Sequence, residues 1–371
     1  MARKAKKAEN AKKAADAAAA AAASAGAPQR LVDFAEALRK KRVDAAVVRN
    51  EANVRALTGI ECDNAMLLVY KSGEALFHTD FRYIPMVHRV APWIDVKGIK
   101  KFSLARDIKA GAKRIGYESC WTVKQFENFK KKAKGAEFVD VLDDILALRA
   151  VKTPEEQQAL RKSEALNDRI WSEAQKQFKA GMTERQMARI IKHLMIEKGE
   201  GEAFETIVCV GANAAECHHV PDDTVWDGKS PVLVDMGVKL GGYCSDMTRN
   251  IVPRNASKRY REIYAHVLGA NEAAIAALRP GMTSGDLDKV ARDYLEERGF
   301  KEEFGHSLGH GVGIEIHESP WAARKQKTVL KPGMSVTIEP GLYIEGELGV
   351  RIEDLVLVTE DGCEVISHSK K

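Results

Sequence analysis

The sequence contains no apolar run approaching the roughly 18 to 20 residues that a membrane-spanning helix needs, so no membrane segment is expected. It has no Cys-x-x-Cys pair: Cys62, Cys120, Cys209, Cys217, Cys244 and Cys363 stand apart. That scatter offers neither a zinc knuckle nor a disulfide framework, and it fits free thiols in a reducing cytoplasm. A basic folded region is missing too. The net charge is +5, yet residues 1–30 alone hold seven basic side chains against Glu9 and Asp16, and the remainder carries 51 charges of each sign. A formally neutral folded part argues against a groove for nucleic acid.

What is present is an ordinary globular composition, 45% hydrophobic and 30% charged, over 371 residues, long enough for two domains. Residues 1–29 read as a low-complexity Lys/Ala tail, expected to be disordered. Its alanine run is only weakly apolar and Glu9 and Asp16 interrupt it, which a signal peptide avoids. Residues 30–150 alternate helix and strand. Leu31–Lys41 has helical spacing, Asp44–Val48 is β-rich, and Ala65–Tyr70 and Glu74–Thr79 flank Lys71-Ser72-Gly73 as a hairpin. Arg114–Tyr117 is another expected strand and Val123–Lys134 another helix. No His/Asp/Glu cluster falls here, so this region reads as a smaller α/β scaffold. A boundary is expected near Arg149–Lys152, leaving residues 151–371 as the second domain. There Thr153-Pro154-Glu155-Glu156 is a strong helix start, with a capping threonine, proline at the first turn and Glu156 able to close a capping box. The helix is expected to run through Gln157–Lys179.

An internal repeat organises the second domain. Gly181-Met182-Thr183 recurs as Gly281-Met282-Thr283, one hundred residues later, and the register persists through Met187 with Leu287, Gly199 with Gly299 and Phe204 with Phe304. Each copy is expected to start a helix at its threonine and to stop at its glycine. A β-rich run follows that delivers an acid, Asp235 after Val232-Leu-Val and Glu339 after Val336-Thr-Ile. A second acid comes later in each half, Asp246 and Glu353. Two halves that fold alike about a pseudo-twofold would bring four carboxylates together at their centre.

Four acids inside apolar strands demand partners, because an unpaired buried carboxylate takes back its proton or destabilises the fold. Arg249 and Arg351 could neutralise two of them. Two divalent cations balance all four and would lower the pKa of a shared water. Upstream of Glu339, His306, His310 and His317 lie within twelve residues, interleaved with glycines that let backbone approach a ligand closely. Mixed carboxylate and imidazole donors suit manganese, cobalt, iron or zinc, and the high oxygen count favours manganese.

Asp235-Met-Gly237, Gly242-Tyr243-Cys-Ser-Asp246-Met-Thr248-Arg249, the Gly309–Glu318 stretch, Glu339-Pro-Gly341 and Arg351-Ile-Glu353-Asp354 resemble the pita-bread metallopeptidases. Within them the chain looks like the Xaa-Pro branch, aminopeptidase P and prolidase. The resemblance implies an α+β chain: a carboxy-terminal pita-bread fold with its pseudo-twofold repeat, preceded by a creatinase-type domain. It implies two metal ions on Asp235, Asp246, His310, Glu339 and Glu353, with Asp246 and Glu353 shared. His218 would contact the substrate carbonyl, although His219 beside it leaves that assignment open. Glu339 would move the proton, His317 and His306 would meet the substrate, and Arg351 would either orient a ligand carboxylate or neutralise an acid. The implied substrate is a peptide or dipeptide with proline after its first residue, and the implied assembly a cytoplasmic homodimer.

The His306–Pro320 segment looks more like the aminopeptidase type, so Xaa-Pro aminopeptidase is the preferred activity and Xaa-Pro dipeptidase the alternative. A non-catalytic binding module on the same scaffold is disfavoured by the complete ligand set. A creatinase normally departs from that set, and methionine aminopeptidases usually lack a long amino-terminal α/β domain.

Overall fold

The computed structural model describes residues 26–99, 107–108, 112–133 and 135–371. The expectation for residues 1–25 therefore lies outside the described residues. Two compact units divide after Arg149, the second being Ala150–Lys371. Among the described residues no helix is long and apolar enough to cross a membrane.

In the first unit, Leu31, Phe34 and Leu38 recur at helical spacing and are buried, which anchors the helix Gln29–Lys40. That helix already includes the last residue expected for the tail. The sheet has six strands, in the order Asp95–Gly98, Ala75–Thr79, Met66–Tyr70, Ala45–Val48, Arg114–Tyr117 and Glu137–Asp140. Its hairpin pairs Leu67 with Phe77 and Val69 with Ala75. Successive side chains of the central strand go to opposite faces. Ala46 and Val48 join the cluster of Phe34, Leu57 and Phe77, while Ala45 and Val47 join that of Leu68, Ile115 and Phe129. Helix Val123–Lys132 is capped reciprocally by Thr122 and Gln125. It ends two residues before the expected Lys134, which is outside the described residues. Helices Glu51–Thr58, Ile84–Val90 and Leu142–Ala150 were not anticipated.

The second unit is built twice over. Helix Pro154–Gln177 starts with the expected Thr153–Glu156 capping box and ends two residues short of Lys179. Helix Glu184–Lys198 follows, capped by Thr183, then the antiparallel strands Ile207–Val210, Val232–Met236 and Met247–Ile251. The other half repeats this with helices Lys258–Ala277 and Ser284–Glu296, then strands Ser335–Ile338, Asp354–Val358 and Cys363–Val365. Matching details confirm the repeat. Gly181 and Gly281 both turn the chain at positive φ, 92° and 91°. Thr183 and Thr283 both accept the backbone N–H three residues on, and both bridge to a valine, Val225 and Val329. The helix ends differ. Gly199 is the C-cap of the first copy, but the second copy closes on Glu297, whose N–H reaches Asp293 and Leu295, and Gly299 only reverses the chain afterwards.

Candidate metal centre

The repeat places the acids at equivalent strand ends. Asp235 lies on strand Val232–Met236 opposite Thr248, and Asp246 immediately precedes strand Met247–Ile251. Glu339 follows strand Ser335–Ile338 by one residue, and Glu353 precedes strand Asp354–Val358 by one. Asp246 gets there through a tight return at Gly241 and Gly242, both at positive φ, which pairs Tyr243 with Leu240. His310 comes from a short strand pressed against strand Ser335–Ile338 of the same half: a Cβ on Gly309 would lie 1.9 Å from Thr337 O.

Together these residues line a cavity of about 440 Å³ that also includes His218, His306, His317, Trp321 and Arg351. A larger cleft of about 870 Å³ lies along Trp171, Arg261 and Tyr264, but among its described lining side chains only Asp168 is acidic. Volume alone therefore does not select the site; donor chemistry does.

Asp246, His310 and Glu353 each present a ligand atom, all within 4.8 Å of one another. His310 Nε2 lies 3.5 Å from Asp246 Oδ2 and 3.4 Å from Glu339 Oε1. Its Nδ1 donates to Gly311 O at 3.1 Å, so the neutral ring turns the Nε2 lone pair toward those two carboxylates. Burial holds His310 in that neutral form, with its pKa lowered to about 4. Burial and then mutual repulsion, from Glu353 on Asp246 and from Glu339 on Glu353, raise both acids well above the carboxylate range. Glu339 is pushed up to about 8, by burial first, against the opposing charge of Arg351. Asp235 Oδ1 is buried with no hydrogen-bond partner among the described residues. An oxygen-rich cluster with one imidazole lone pair and an orphaned carboxylate oxygen fits divalent cations.

Arg351 is held at every edge. Nη2 donates to Asp235 Oδ2 at 2.6 Å, Nε to Thr248 Oγ1 at 3.0 Å, and Nη1 to Tyr343 Oη at 2.7 Å and Cys217 O at 3.3 Å. Its ion pair with Asp235 places it beside one of the four acids. His306 is fixed between Ser307 O and Tyr343 Oη, and its burial lowers its pKa to about 4. His317 stacks on Trp321 with centroids 6.0 Å apart, and burial lowers its pKa as well. His218 faces the cavity, whereas His219 turns to Glu184.

Four contributors were not anticipated. Tyr343 ties His306 to Arg351. Trp321 pairs with His310 across its hairpin. Glu164, fully buried, accepts from Asp246 N at 3.1 Å and Ser367 Oγ at 2.8 Å. Glu184 is the fourth.

Comparison with known proteins bears on the chemistry. A sequence model described as metallopeptidase family M24 matches residues 158–360, and one described as the creatinase/prolidase N-terminal domain matches residues 30–151. The chain is 35% identical over 344 residues to the Xaa-Pro dipeptidase of Pyrococcus furiosus, covering 92% of this chain and 99% of the relative. The structure is similar to that of an Xaa-Pro dipeptidase from Bacillus anthracis, with a TM-score of 0.88 and 32% identity over 92% of this chain and 98% of the other. It is also similar to an X-Pro aminopeptidase from Thermotoga maritima, with a TM-score of 0.81 and 30% identity over 89% and 97%.

Proposed function

The chain belongs to metallopeptidase family M24, and on that footing we propose that it hydrolyses Xaa-Pro dipeptides. The aminopeptidase preference drawn from the His306–Pro320 segment gives way here. The relatives named as Xaa-Pro dipeptidases match at 35% and 32% identity, above the X-Pro aminopeptidase at 30%. The observation that carries the catalytic reading is the convergence of four carboxylates and the His310 lone pair in one histidine-lined cavity.

In this reading residues 151–371 are the catalytic domain, and Asp235, Asp246, His310, Glu339 and Glu353 hold two divalent ions, manganese being favoured by the oxygen donors. Bound there, the ions would make water acidic enough to supply a nucleophile at neutral pH and would polarise the scissile carbonyl. His218 donates a hydrogen bond to the carbonyl oxygen as negative charge develops on it. Glu339, oriented by Thr337 Oγ1 at 3.1 Å, accepts the proton of the attacking water and delivers it to the prolyl nitrogen as the bond breaks. His317 and His306 hydrogen-bond and position the substrate, and Trp321 stacks against the His317 ring. The prolyl amide has no N–H, so the site cannot rely on the strand-like docking that ordinary peptidases use.

The test is turnover of Ala-Pro and Ala-Pro-Ala by protein stripped of metal and then reloaded with Mn²⁺, Co²⁺ or Zn²⁺ separately. Cleavage of the dipeptide alone is expected, and only after reloading. Comparable cleavage of the tripeptide would restore the aminopeptidase reading, and cleavage of neither peptide would remove both.

A further inference from the structure

His218 and His219 are adjacent, yet they meet opposite surroundings. His218 lines the cavity. His219 Nε2 lies 2.7 Å from Glu184 Oε2, and its Nδ1 lies 3.3 Å from Glu216 Oε2. Glu184 is the first residue of helix Glu184–Lys198, and its side chain is completely buried. It also accepts Val210 N–H at 2.6 Å, Asn213 Nδ2 at 2.9 Å and Asp222 N–H at 3.1 Å. The same helix start takes the loop's carbonyls, since Glu184 N donates to Thr224 O and Arg185 N to Asp222 O, both at 3.1 Å.

Glu184, His219 and Asp222 bring donor atoms within 4.8 Å of one another, a spacing that a cation could use. Two peptide N–H groups and an amide already aim their positive ends at Glu184, however. The pocket is a receptor for that carboxylate, and the imidazole is its fourth donor. On the other flank of His218, the Cys217 carbonyl accepts Arg351 Nη1 at 3.3 Å. After the short helical turn Gly211–Ala215, residues 216–224 have no further helix or strand of their own. The placement of His218 therefore depends on these ties, without which the loop would regain backbone entropy.

We propose that Glu184 and His219 form a positioning pair that fixes His218 for its contact with the substrate carbonyl. This rests on the Xaa-Pro reading above. His219 itself touches no substrate; it acts through its neighbour. A displacement of about 1 Å at a reacting group can cost about a hundredfold in rate, which a slack loop readily reaches.

The experiment is a double-mutant cycle on Ala-Pro with enzyme reloaded with Mn²⁺: His218→Ala, His219→Ala and the pair, with His219→Gln as the conservative variant. His219→Ala is expected to lower kcat at least about tenfold, with KM and metal content changing little, while the thermal midpoint falls because buried Glu184 loses a donor. Gln, which can still donate to Glu184, should recover most of kcat. In the His218→Ala background, removing His219 should cost no more. Losses that multiply, or an unaffected kcat, would overturn the pair while leaving the peptidase reading standing. A silent His218→Ala would overturn the pair together with the carbonyl contact of His218, and the peptidase reading would fall only if the reloaded parent failed to cleave Ala-Pro. Independently of turnover, ring resonances of His218 in ¹⁵N-histidine-labelled protein should shift or broaden in His219→Ala, and unchanged signals would also overturn the pair.

Discussion

Thr248 donates its hydroxyl to Glu353 Oε2 at 2.8 Å, linking strands from the two halves of the repeat across 105 residues of sequence. Thr248 Oγ1 in turn accepts Arg351 Nε at 3.0 Å. A hydroxyl has one proton to give and lone pairs to receive, and Thr248, fully buried, uses both functions. Through it a candidate metal ligand, the arginine that neutralises Asp235, and a strand of the opposite half share one hydrogen-bonded unit.

Replacing Thr248 by valine keeps the shape and removes this link. Glu353 then loses a donor and Arg351 an acceptor, so the carboxylate is less well oriented for a cation. The affinity of metal-free protein for Mn²⁺, measured by calorimetric titration, should fall about 10–100-fold. An unchanged affinity would remove Thr248 from this role.

Glu339→Gln separates holding the metal from moving the proton. The amide keeps an oxygen toward the cluster but cannot take a proton from water and pass it on. Metal content by elemental analysis should be largely retained, while kcat on Ala-Pro falls by about 10²–10⁴-fold. Undiminished turnover would transfer the proton-carrying role to another group.

The buried pair of Arg249 and Asp354 braces the strand behind Glu353. Arg249 Nη2 lies 2.8 Å from Asp354 Oδ1, and its Nε donates to Ser369 O at 2.9 Å. Both side chains are at most 2% exposed. Arg249→Met should destabilise by about 3 kcal/mol, the lower end for breaking a buried pair, because Lys371 also reaches Asp354. Urea denaturation checks this, and Arg249→Met with Asp354→Leu should regain much of the loss. A single variant as stable as the parent would show that the pair contributes little.

Much of this was legible in sequence because burial and chemistry conflict in view. Asp235, Glu339 and Glu353 sit in runs of valine, leucine and isoleucine, where a carboxylate has no reason to be without a partner, and Asp246 follows the Gly241-Gly242 turn that returns the chain beside Asp235. The repeat was legible because turn glycines and capping threonines recur at fixed spacing, and both copies keep them. The edge strands Asp95–Gly98 and Glu137–Asp140 escaped notice because each is only four residues long and none of their residues is fully buried, too little for a two-residue period to stand out. Glu184 and Glu164 escaped for another reason. An acid in the first turn of a helix reads as a favourable charge on its dipole, and an acid in mid-helix reads as solvent-facing. Only the tertiary fold reveals that both are buried and collecting donors. The choice between His218 and His219 has the same origin, since two adjacent histidines are equivalent until Glu184 claims one of them.

That claim has a consequence for stability against pH. Burial disfavours a charged His219, but its hydrogen bonds to Glu184 and Glu216 and the charges of Glu184 and Asp222 outweigh it, so its pKa is raised above the ordinary value of about 6.5. The folded state therefore binds this proton more tightly than the unfolded chain. The resulting stabilisation is fully present below about pH 6.5 and is lost as pH rises through the folded-state pKa. His219→Gln cannot bind the proton, so the stability advantage of the parent over this variant should be larger at pH 6 than at pH 9. Thermal unfolding of both proteins in EDTA across that range isolates the effect, because the carboxylate cluster titrates in both and cancels in the difference. An advantage that stays constant or grows with pH would mean that His219 is neutral in its pocket and holds Glu184 as an uncharged donor.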